Sequence, residues 1–196
     1  MGLLSIIRKA KRKEHEMRIL FLLSLIVRGL DNAGKTTIIR KLMNENTTDI
    51  SPTMGFTISS LDYRNFHLNI WDIGGQGSIR KFWKNYYEET DAVVWVVDSG
   101  DKERLDLCKQ QFREILFEEK LMGAAVLILC NKCDLNGAMP VDMITNYLEI
   151  KGPEFESRYW SVFSCSAVTG EGLKESFDWL VEHTYTGMAY MDEVDS

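Results

Sequence analysis

The sequence predicts a three-layer α/β domain with a mainly parallel, six-stranded sheet and one antiparallel hairpin at the sheet edge. Two uninterrupted apolar runs, residues 92–97 and 124–130, show no alternation, as expected for strands buried on both faces of a parallel sheet. Segments with apolar residues at helical spacing lie between and after these runs. Strands and helices therefore alternate along the chain, which is the pattern of an α/β fold.

The first half of the domain begins with an apolar run over residues 19–27, followed by a glycine-bounded loop and a helical pattern over residues 36–44. Residues 56–61 and 66–71 alternate between apolar and polar side chains on either side of a polar segment. Such alternation is typical of an antiparallel hairpin. We therefore expect a strand, a loop and a helix, followed by the hairpin.

Three further helices are predicted in the second half by apolar residues at a spacing of three to four. Their apolar positions are Leu105, Cys108, Phe112, Ile115 and Leu116 in the first, Val141, Ile144, Tyr147 and Leu148 in the second, and Leu173, Phe177, Leu180 and Val181 in the third. A short final strand is expected at residues 162–165. In such a fold, ligands bind at the carboxyl ends of the strands.

Composition and charge exclude several classes of protein. The chain has 196 residues, of which 45% are apolar and 27% charged, as in one ordinary globular domain. Its formal net charge is −6 although residues 1–20 are basic, so the body is acidic, which argues against binding nucleic acid by phosphate neutralisation. The longest apolar run, residues 19–27, has about half of the ~20 residues that span a bilayer, and no signal-peptide cleavage site follows it. We expect a cytoplasmic protein.

The chain is divided into an N-terminal amphipathic helix at residues 1–16, the α/β domain at 17–187 and an acidic C-terminal tail at 188–196. In the first segment, apolar side chains share one helical face and basic side chains the other. Such a helix suits transient contact with a membrane, a partner groove or the body of the chain. Gly2 suggests N-myristoylation, but Ile6 stands where that motif requires Ser or Thr.

A phosphate-binding loop is predicted between the first strand and the first helix, where the sequence fits G-x-x-x-x-G-K-[ST]. The segment consists of Gly29, Leu30, Asp31, Asn32, Ala33, Gly34, Lys35, Thr36 and, in the helix, Thr37. Its glycines let successive backbone N–H groups point at phosphate oxygens, and the helix N-terminus adds its dipole. Lys35 is expected to neutralise phosphate charge and the Thr36 hydroxyl to bind Mg²⁺. The motif by itself does not choose the base.

A guanine site is predicted by the N-K-x-D segment that follows the strand at 124–130. Its Asp134 carboxylate can accept both the N1–H and the N2–H of guanine, a pairing that adenine does not offer. The stem of Lys132 can lie along the ring, and Asn131 completes the segment. After the last strand, Ser166 and Ala167 supply a backbone N–H for the guanine O6.

A γ-phosphate site is predicted where the hairpin ends. Asp72 can hold Mg²⁺ through water, Gly75 can offer its N–H to the γ-phosphate, and Gln76 can orient the attacking water. Thr53, in the loop before the hairpin, is placed to supply a second hydroxyl to the metal. Taken singly, each of these is also an ordinary turn residue.

In this order, the motifs resemble the ADP-ribosylation-factor-like small GTPases over nearly the whole chain. Two features go beyond the general GTPase pattern: the double-glycine segment from Asp72 to Gln76, and the amphipathic head before the first strand. The resemblance implies a monomeric regulatory P-loop GTPase with Mg²⁺, whose switch loops differ between the GTP and GDP states. Gln76 and Lys35 are its expected catalytic residues. No evident arginine finger is present, so we expect slow hydrolysis until an activating protein supplies an arginine.

The resemblance further implies an effector patch formed by Phe56, Trp71 and Tyr86, although aromatic side chains on a hairpin usually belong to the core. It also implies tubulin folding cofactors, a lipid-cargo carrier and small helical effectors as partners, with microtubule biogenesis as the cellular role. A cytoskeleton-associated or mitochondrial pool beside the cytoplasmic one would accord with that role.

The sequence departs from the resemblance before the phosphate loop, where residues 21–28 include several extra positions. Either residues 22–27 form the first strand while residues 17–21 extend the head helix, or the segment is a mistranslated or misspliced insertion that weakens the fold. In the first case Arg28 takes the last strand position. Burying its charge there without a partner would destabilise the fold by several kcal/mol.

Two rival functions stay open at this point. One is a nucleotide-insensitive binding module that has lost turnover because of the unusual first strand. The other is a P-loop ATPase or small-molecule kinase, which Asp134 disfavours because its carboxylate suits guanine.

Overall fold

The computed structural model describes residues 16–23, 33–51, 53, 55–73, 87, 90–150, 152, 155 and 158–194. Their elements, in chain order, are β1 (Glu16–Leu23), α1 (Lys35–Leu42), β2 (Phe56–Tyr63), β3 (Phe66–Ile73), β4 (Ala92–Asp98), α2 (Leu105–Leu116), a 3-10 turn (Glu119–Leu121), β5 (Ala125–Asn131), α3 (Val141–Leu148), β6 (Trp160–Ser164) and α4 (Leu173–Val194).

The strands form one six-stranded sheet in the order β2-β3-β1-β4-β5-β6. The β2–β3 pair is antiparallel, and all other neighbouring pairs are parallel. The predicted fold class is therefore confirmed, including the hairpin at one edge. The carboxyl ends of the parallel strands lie at one end of the sheet, where the loops with the predicted site residues begin.

The core consists of two layers, one on each face of the sheet. Alternate residues of the buried strands point to opposite faces, as the strand period of two requires. In β4, Val94 and Val96 pack with Ile38 of α1 and Phe177 of α4, whereas Trp95 packs on the other face with residues of α2 and α3. The apolar positions that predicted the helices are the ones that cover the sheet.

The hairpin is longer than the sequence pattern indicated. Its strands reach Tyr63 and Phe66, which pair directly, so the connection is a two-residue turn at Arg64 and Asn65. Arg64 has φ 54°, in the left-handed region that tight hairpin turns use. The sequence pattern suggested a wider turn, over residues 62–65, but Asp62 and Tyr63 belong to β2.

The position of the first strand corrects one of our hypotheses. β1 begins at Glu16 and pairs with β3 and β4 on its two sides, so residues 17–21 are central strand and not an extension of the head helix. Met17 is 1% exposed and lies opposite Leu68 in the core. A strand at this place completes the hydrogen bonds of two neighbours, which a helix over residues 17–21 would leave unpaired. Arg28 lies outside the described residues.

The two ends of the chain differ in what the structure describes. The head helix was predicted over residues 1–16; residues 1–15 lie outside the described part, and Glu16 already belongs to β1. At the other end, the backbone of α4 stays helical to Val194, through most of the segment that we had set apart as a tail. No helix in the described part is long and apolar enough to cross a membrane.

Candidate functional site

Gly34 closes the predicted phosphate loop immediately before α1 and has φ 88°, a left-handed conformation that favours glycine. A Cβ added at this position would lie well inside contact distance of Asn131 Nδ2. The glycine is thus required by the backbone angle and by the close approach of the loop after β5. The following residues, from Lys35, form the first turn of α1, and Ala33 is buried before it.

Thr36, Thr53 and Asp72 meet at the start of α1. The Thr36 hydroxyl donates to Asp72 Oδ2 over 2.7 Å, and the Thr53 hydroxyl donates to the same oxygen over 3.3 Å. The two hydroxyl oxygens are 2.9 Å apart. Lys35 Nζ lies 3.6 Å from Asp72 Oδ1, and both of these side chains are buried. The structure therefore brings together four residues that the sequence had assigned to the phosphates and the metal.

This cluster fits a magnesium ion. Within the described part of the chain, nothing donates a hydrogen bond to Asp72 Oδ1, which is a buried carboxylate oxygen. Carboxylate and hydroxyl oxygens are the donors that Mg²⁺ prefers, and a buried charge without a full set of partners is costly. The donor set at Thr36, Thr53 and Asp72 thus matches the metal that the sequence implied.

Asn131 joins three loops at the other side of the site. Its Nδ2 donates to the Ala33 carbonyl oxygen over 2.7 Å, and its Oδ1 accepts the Ala167 N–H over 2.9 Å. The side chain is 1% exposed, so it holds loops together at depth instead of facing solvent. The Ala167 N–H that we assigned to the guanine O6 is engaged with Asn131 in this structure, and its role toward a base stays a prediction.

The other base-site residues lie on the surface side of Asn131. Lys132 has φ 67°, and its ammonium contacts the carboxylate of Asp98. Asp134 follows in an exposed turn. Ser166 is buried, and its Oγ accepts the N–H of Thr169, so its side chain stabilises its own loop.

Of the remaining predicted site residues, one lies in the described part of the chain and the others lie outside it. Thr37 lies half-buried in the first turn of α1. Gly29, Leu30, Asp31, Asn32, Gly75, Gln76 and Tyr86 lie outside the described residues, and their assignments stay predictions.

Phe56 and Trp71 form an aromatic pair on the hairpin. Their rings stack at a centroid distance of 5.8 Å and an interplanar angle of 18°. Phe56 is 47% exposed and its neighbour Ile58 is 49% exposed, so this side of β2 presents apolar surface to solvent. Two of the three predicted patch residues are therefore adjacent: Phe56 is exposed, and Trp71 is half-buried and also packs against the core.

Sequence reasoning missed polar contacts at two places in the fold. Asp98, at the end of β4, pairs with Lys132; a carboxylate directly after a buried strand was the available signal. At the far end of the hairpin, the Tyr63 hydroxyl donates to Asp178 over 2.7 Å, and Arg64 forms an ion pair with the same carboxylate. No spacing in the sequence connects residues so far apart along the chain.

Two of the three cysteines beside the site, Cys130 and Cys165, are buried, and Cys133 is partly exposed. Cys130, Cys133 and Cys165 are free, and burial raises the pKa of Cys130 to about 12. Burial also raises the pKa of Cys165. Both thiols therefore stay protonated and are poor nucleophiles or metal ligands near neutral pH. No cluster of metal-binding His, Cys, Asp and Glu side chains occurs among the described residues.

Comparison with known proteins decides the family. The model of the ADP-ribosylation factor family matches residues 3–184. The chain belongs to the ADP-ribosylation factor family. As a member of the ADP-ribosylation factor family it is a small GTPase of the regulatory, GTP-binding kind, and the predicted family and fold are confirmed.

Relatives within the family are similar over nearly their whole length. A protein of Arabidopsis thaliana named ADP-ribosylation factor-like protein 2 is 52% identical over 98% of this chain and 100% of its own. Its namesake in Dictyostelium discoideum is 51% identical over 93% of this chain and 95% of its own. The solved structure of the Arl6 BBS3 small GTPase from Trypanosoma brucei, with the bound nucleotide analogue GppNp, has a TM-score of 0.77 and 27% identity, covering 88% of this chain and 99% of that one.

Proposed function

We propose that the chain binds GTP and GDP with Mg²⁺, hydrolyses GTP slowly, and changes its affinity for effectors between the two states. The observation that carries the proposal is the meeting of Lys35, Thr36 and Thr53 at the Asp72 carboxylate. These residues come from a helix start, a loop and a strand end, and they place two hydroxyls and an ammonium at one buried carboxylate. A triphosphate with its metal would give this arrangement a role.

On the phosphate side, Lys35 binds the β- and γ-phosphate oxygens, and the N–H groups at the start of α1 face the same charge. Thr36 and Thr53 would hold Mg²⁺ through their hydroxyls, and Asp72 would hold the ion through water. The metal, when bound, neutralises charge that develops on the β- and γ-phosphates.

On the base side, Asp134 pairs with the guanine edge while Lys132 lies along the ring. Asn131 supports both, since its side chain links the loop before α1 to the loop after β6. Guanine specificity follows because the bound base would cover the Asp134 carboxylate, which would lack its two N–H donors if the base were adenine.

Hydrolysis proceeds by in-line attack of water on the γ-phosphate. Gln76 orients the water, Gly75 offers its N–H to the γ-phosphate, and Lys35 stabilises the developing charge. An activating protein supplies an arginine in trans, worth roughly 10³-fold or more in rate. The conformational change reaches effectors through the patch of Phe56, Trp71 and Tyr86, of which the first two are stacked on each other.

We assign the cellular role to tubulin folding and microtubule biogenesis, with tubulin folding cofactors, a lipid-cargo carrier and helical effectors as partners, in the cytoplasm and in a cytoskeletal or mitochondrial pool. The support is the similarity over nearly the full length to proteins named ADP-ribosylation factor-like protein 2. Co-purification of the GTP-analogue-loaded chain with tubulin folding cofactors, and not of the GDP-loaded chain, tests this assignment.

Single-turnover hydrolysis tests the enzymatic part. The chain is loaded with GTP labelled at the γ-phosphate, and phosphate release is followed with and without activating protein. The Gln76→Leu variant is expected to bind GTP as the parent does and to lose activator-stimulated release. Unchanged stimulated release in this variant would remove Gln76 from the mechanism.

A nucleotide-insensitive binding module is the second candidate, and one observation favours it. The described part of β1 reaches Leu23, and the phosphate-loop motif begins only at Gly29, so five sequence positions lie between them. Equal partner affinity of the GDP-loaded and GTP-analogue-loaded chain would support this candidate over a switch.

A further inference from the structure

The lysine that we assign to the guanine base is held by an acidic residue of the neighbouring strand. β4 and β5 end at the same level, with Asp98 opposite Asn131 in the register. Lys132 follows Asn131 directly, and its Nζ lies 2.6 Å from Asp98 Oδ2. The carboxylate of Asp98 is 9% exposed, so the pair is shielded from most of the solvent. A charge-assisted contact of this kind is stronger than an exposed one.

Asp98 is itself fixed in one orientation. Its Oδ1 accepts the Gly100 N–H over 2.9 Å, which leaves Oδ2 for Lys132. The turn that follows is attached to the base loop, since the Ser99 N–H donates to the Asn131 carbonyl oxygen over 2.9 Å and the Met139 N–H donates to Ser99 over 2.8 Å. The carboxylate is therefore a rigid anchor for the ammonium.

Lys132 has particular need of an anchor. Its φ of 67° is left-handed, a conformation that is unfavourable for a residue with a Cβ. Its four-carbon stem is flexible and would otherwise occupy many rotamers. Holding the ammonium at Asp98 restricts the stem that lies between the fixed backbone and the fixed head group.

We infer that Asp98 is a positioning residue for the guanine nucleotide, because it holds the Lys132 side chain in the orientation in which its stem lies along the base. The inference rests on the proposed function and names a residue that acts through Lys132. Preorganisation of this kind raises affinity by removing part of the ordering entropy of binding. Asp98 belongs to the base side of the site, and the phosphate cluster at Thr36 and Asp72 does not involve it, so it affects nucleotide release and not the hydrolysis step.

The test measures release of a fluorescent GDP analogue from the full chain in saturating Mg²⁺. The variants are Asp98→Asn, which keeps an acceptor for the Gly100 N–H and loses the ion pair, Lys132→Ala, and the double variant. Asp98→Asn is expected to accelerate release roughly tenfold, the equivalent of about 1.4 kcal/mol. The double variant is expected to release no faster than Lys132→Ala within about twofold, because the two residues act as one unit.

Asp101→Asn is the matched control. Asp101 lies in the same turn and pairs with Arg104, without a contact to Lys132. This variant is expected to lower the melting temperature and to leave GDP release unchanged, which separates a general weakening of the turn from positioning of the lysine.

The outcomes separate the inference from the proposed function. If the parent chain holds guanine nucleotide but Asp98→Asn releases it at the parental rate, the positioning role is wrong while the function stands. If the two substitutions accelerate GDP release independently, so that the acceleration in the double variant is the product of the two single ones, the positioning role is also wrong. A parent chain without affinity for GDP would overturn the proposed function, and this inference with it.

Discussion

Asn131 donates a hydrogen bond to the Ala33 carbonyl oxygen over 2.7 Å, and so joins the base loop to the end of the phosphate loop. The two residues are far apart in the sequence, and the contact is buried. Both polar ends of the amide are used, because Oδ1 accepts from Ala167. One side chain thus sets the distance between the parts of the site that bind phosphate and base.

Replacing Asn131 by Ala leaves the Ala33 carbonyl oxygen and the Ala167 N–H without their partner. Each buried unsatisfied group costs about 1–3 kcal/mol, so the free energy of unfolding should fall and GDP release should accelerate. Denaturant unfolding and release of a fluorescent GDP analogue measure the two effects. Asn136→Ala, an exposed asparagine of the same loop, is the control and should change neither. An Asn131→Ala variant that is as stable as the parent and releases GDP at the parental rate would contradict this role of Asn131 in joining the two loops.

Gly34→Ala tests the close approach between the phosphate loop and Asn131. Gly34 and Gly137 both have left-handed backbones, with φ 88° and 82°. A Cβ at Gly137 would meet nothing within 4 Å, whereas one at Gly34 would collide with Asn131. Backbone strain should lower the free energy of unfolding of both alanine variants by about 1–2 kcal/mol. Gly34→Ala should lower it further, because of the collision, and should also weaken nucleotide binding. Thermal melting and nucleotide content measure the difference. Equal effects would mean that strain alone makes glycine necessary.

Thr36→Ala tests the magnesium site. The variant removes the hydroxyl that donates to Asp72 and that we assign to the metal. Parental GDP affinity should fall when Mg²⁺ is removed with a chelator, and the affinity of the variant should be lower and respond less to the metal. Thr36→Ser keeps the hydroxyl and should behave as the parent. A full response to Mg²⁺ in Thr36→Ala would place the metal elsewhere.

The contact of Tyr63 and Arg64 with Asp178 should make stability depend on pH. Burial alone would raise the pKa of Asp178, but hydrogen bonds from Lys174 and Tyr63 and the charge of Arg64 outweigh it, so its pKa is lowered. A carboxylate with a lowered pKa stabilises the fold above its unfolded pKa of about 4, and this contribution disappears as the pH falls through the folded pKa.

Asp178→Asn should therefore be less stable than the parent near neutral pH, and the difference should shrink as the pH falls below about 4. Urea unfolding at a series of pH values measures it. Glu103→Gln, at an exposed position, serves as the control and should show no such trend. A stability difference that stays constant down to strongly acidic pH would show that the charge of Asp178 is not responsible.

Much of the fold was predictable because its signals are local. The apolar runs that became β4 and β5 are buried along their whole length, and the helical spacing that predicted α2 placed Leu105, Phe112 and Ile115 in the core. β1 was placed wrongly because residues 17–27 are apolar almost throughout. Several registers fit such a run equally well, and only pairing with β3 and β4 selects one.

The site was predictable as far as motifs name ligand-binding residues. Lys35, Thr36, Thr53 and Asp72 do meet, because the motif order fixes which strand and helix ends carry them. The supporting contacts were not predictable. Asp98 with Lys132 and Tyr63 with Asp178 depend on which elements become neighbours, and that is a property of the tertiary structure.

The affinities for GTP, GDP and ATP, each with and without Mg²⁺, test the central claim most directly. Equilibrium titration of the nucleotide-free chain should give tight binding of GTP and GDP that weakens without Mg²⁺. ATP should bind at least about 10²-fold more weakly, since adenine leaves the Asp134 carboxylate unpaired. Equal binding of ATP and GTP, or no binding of any nucleotide, would contradict the assignment of this site to guanine nucleotides.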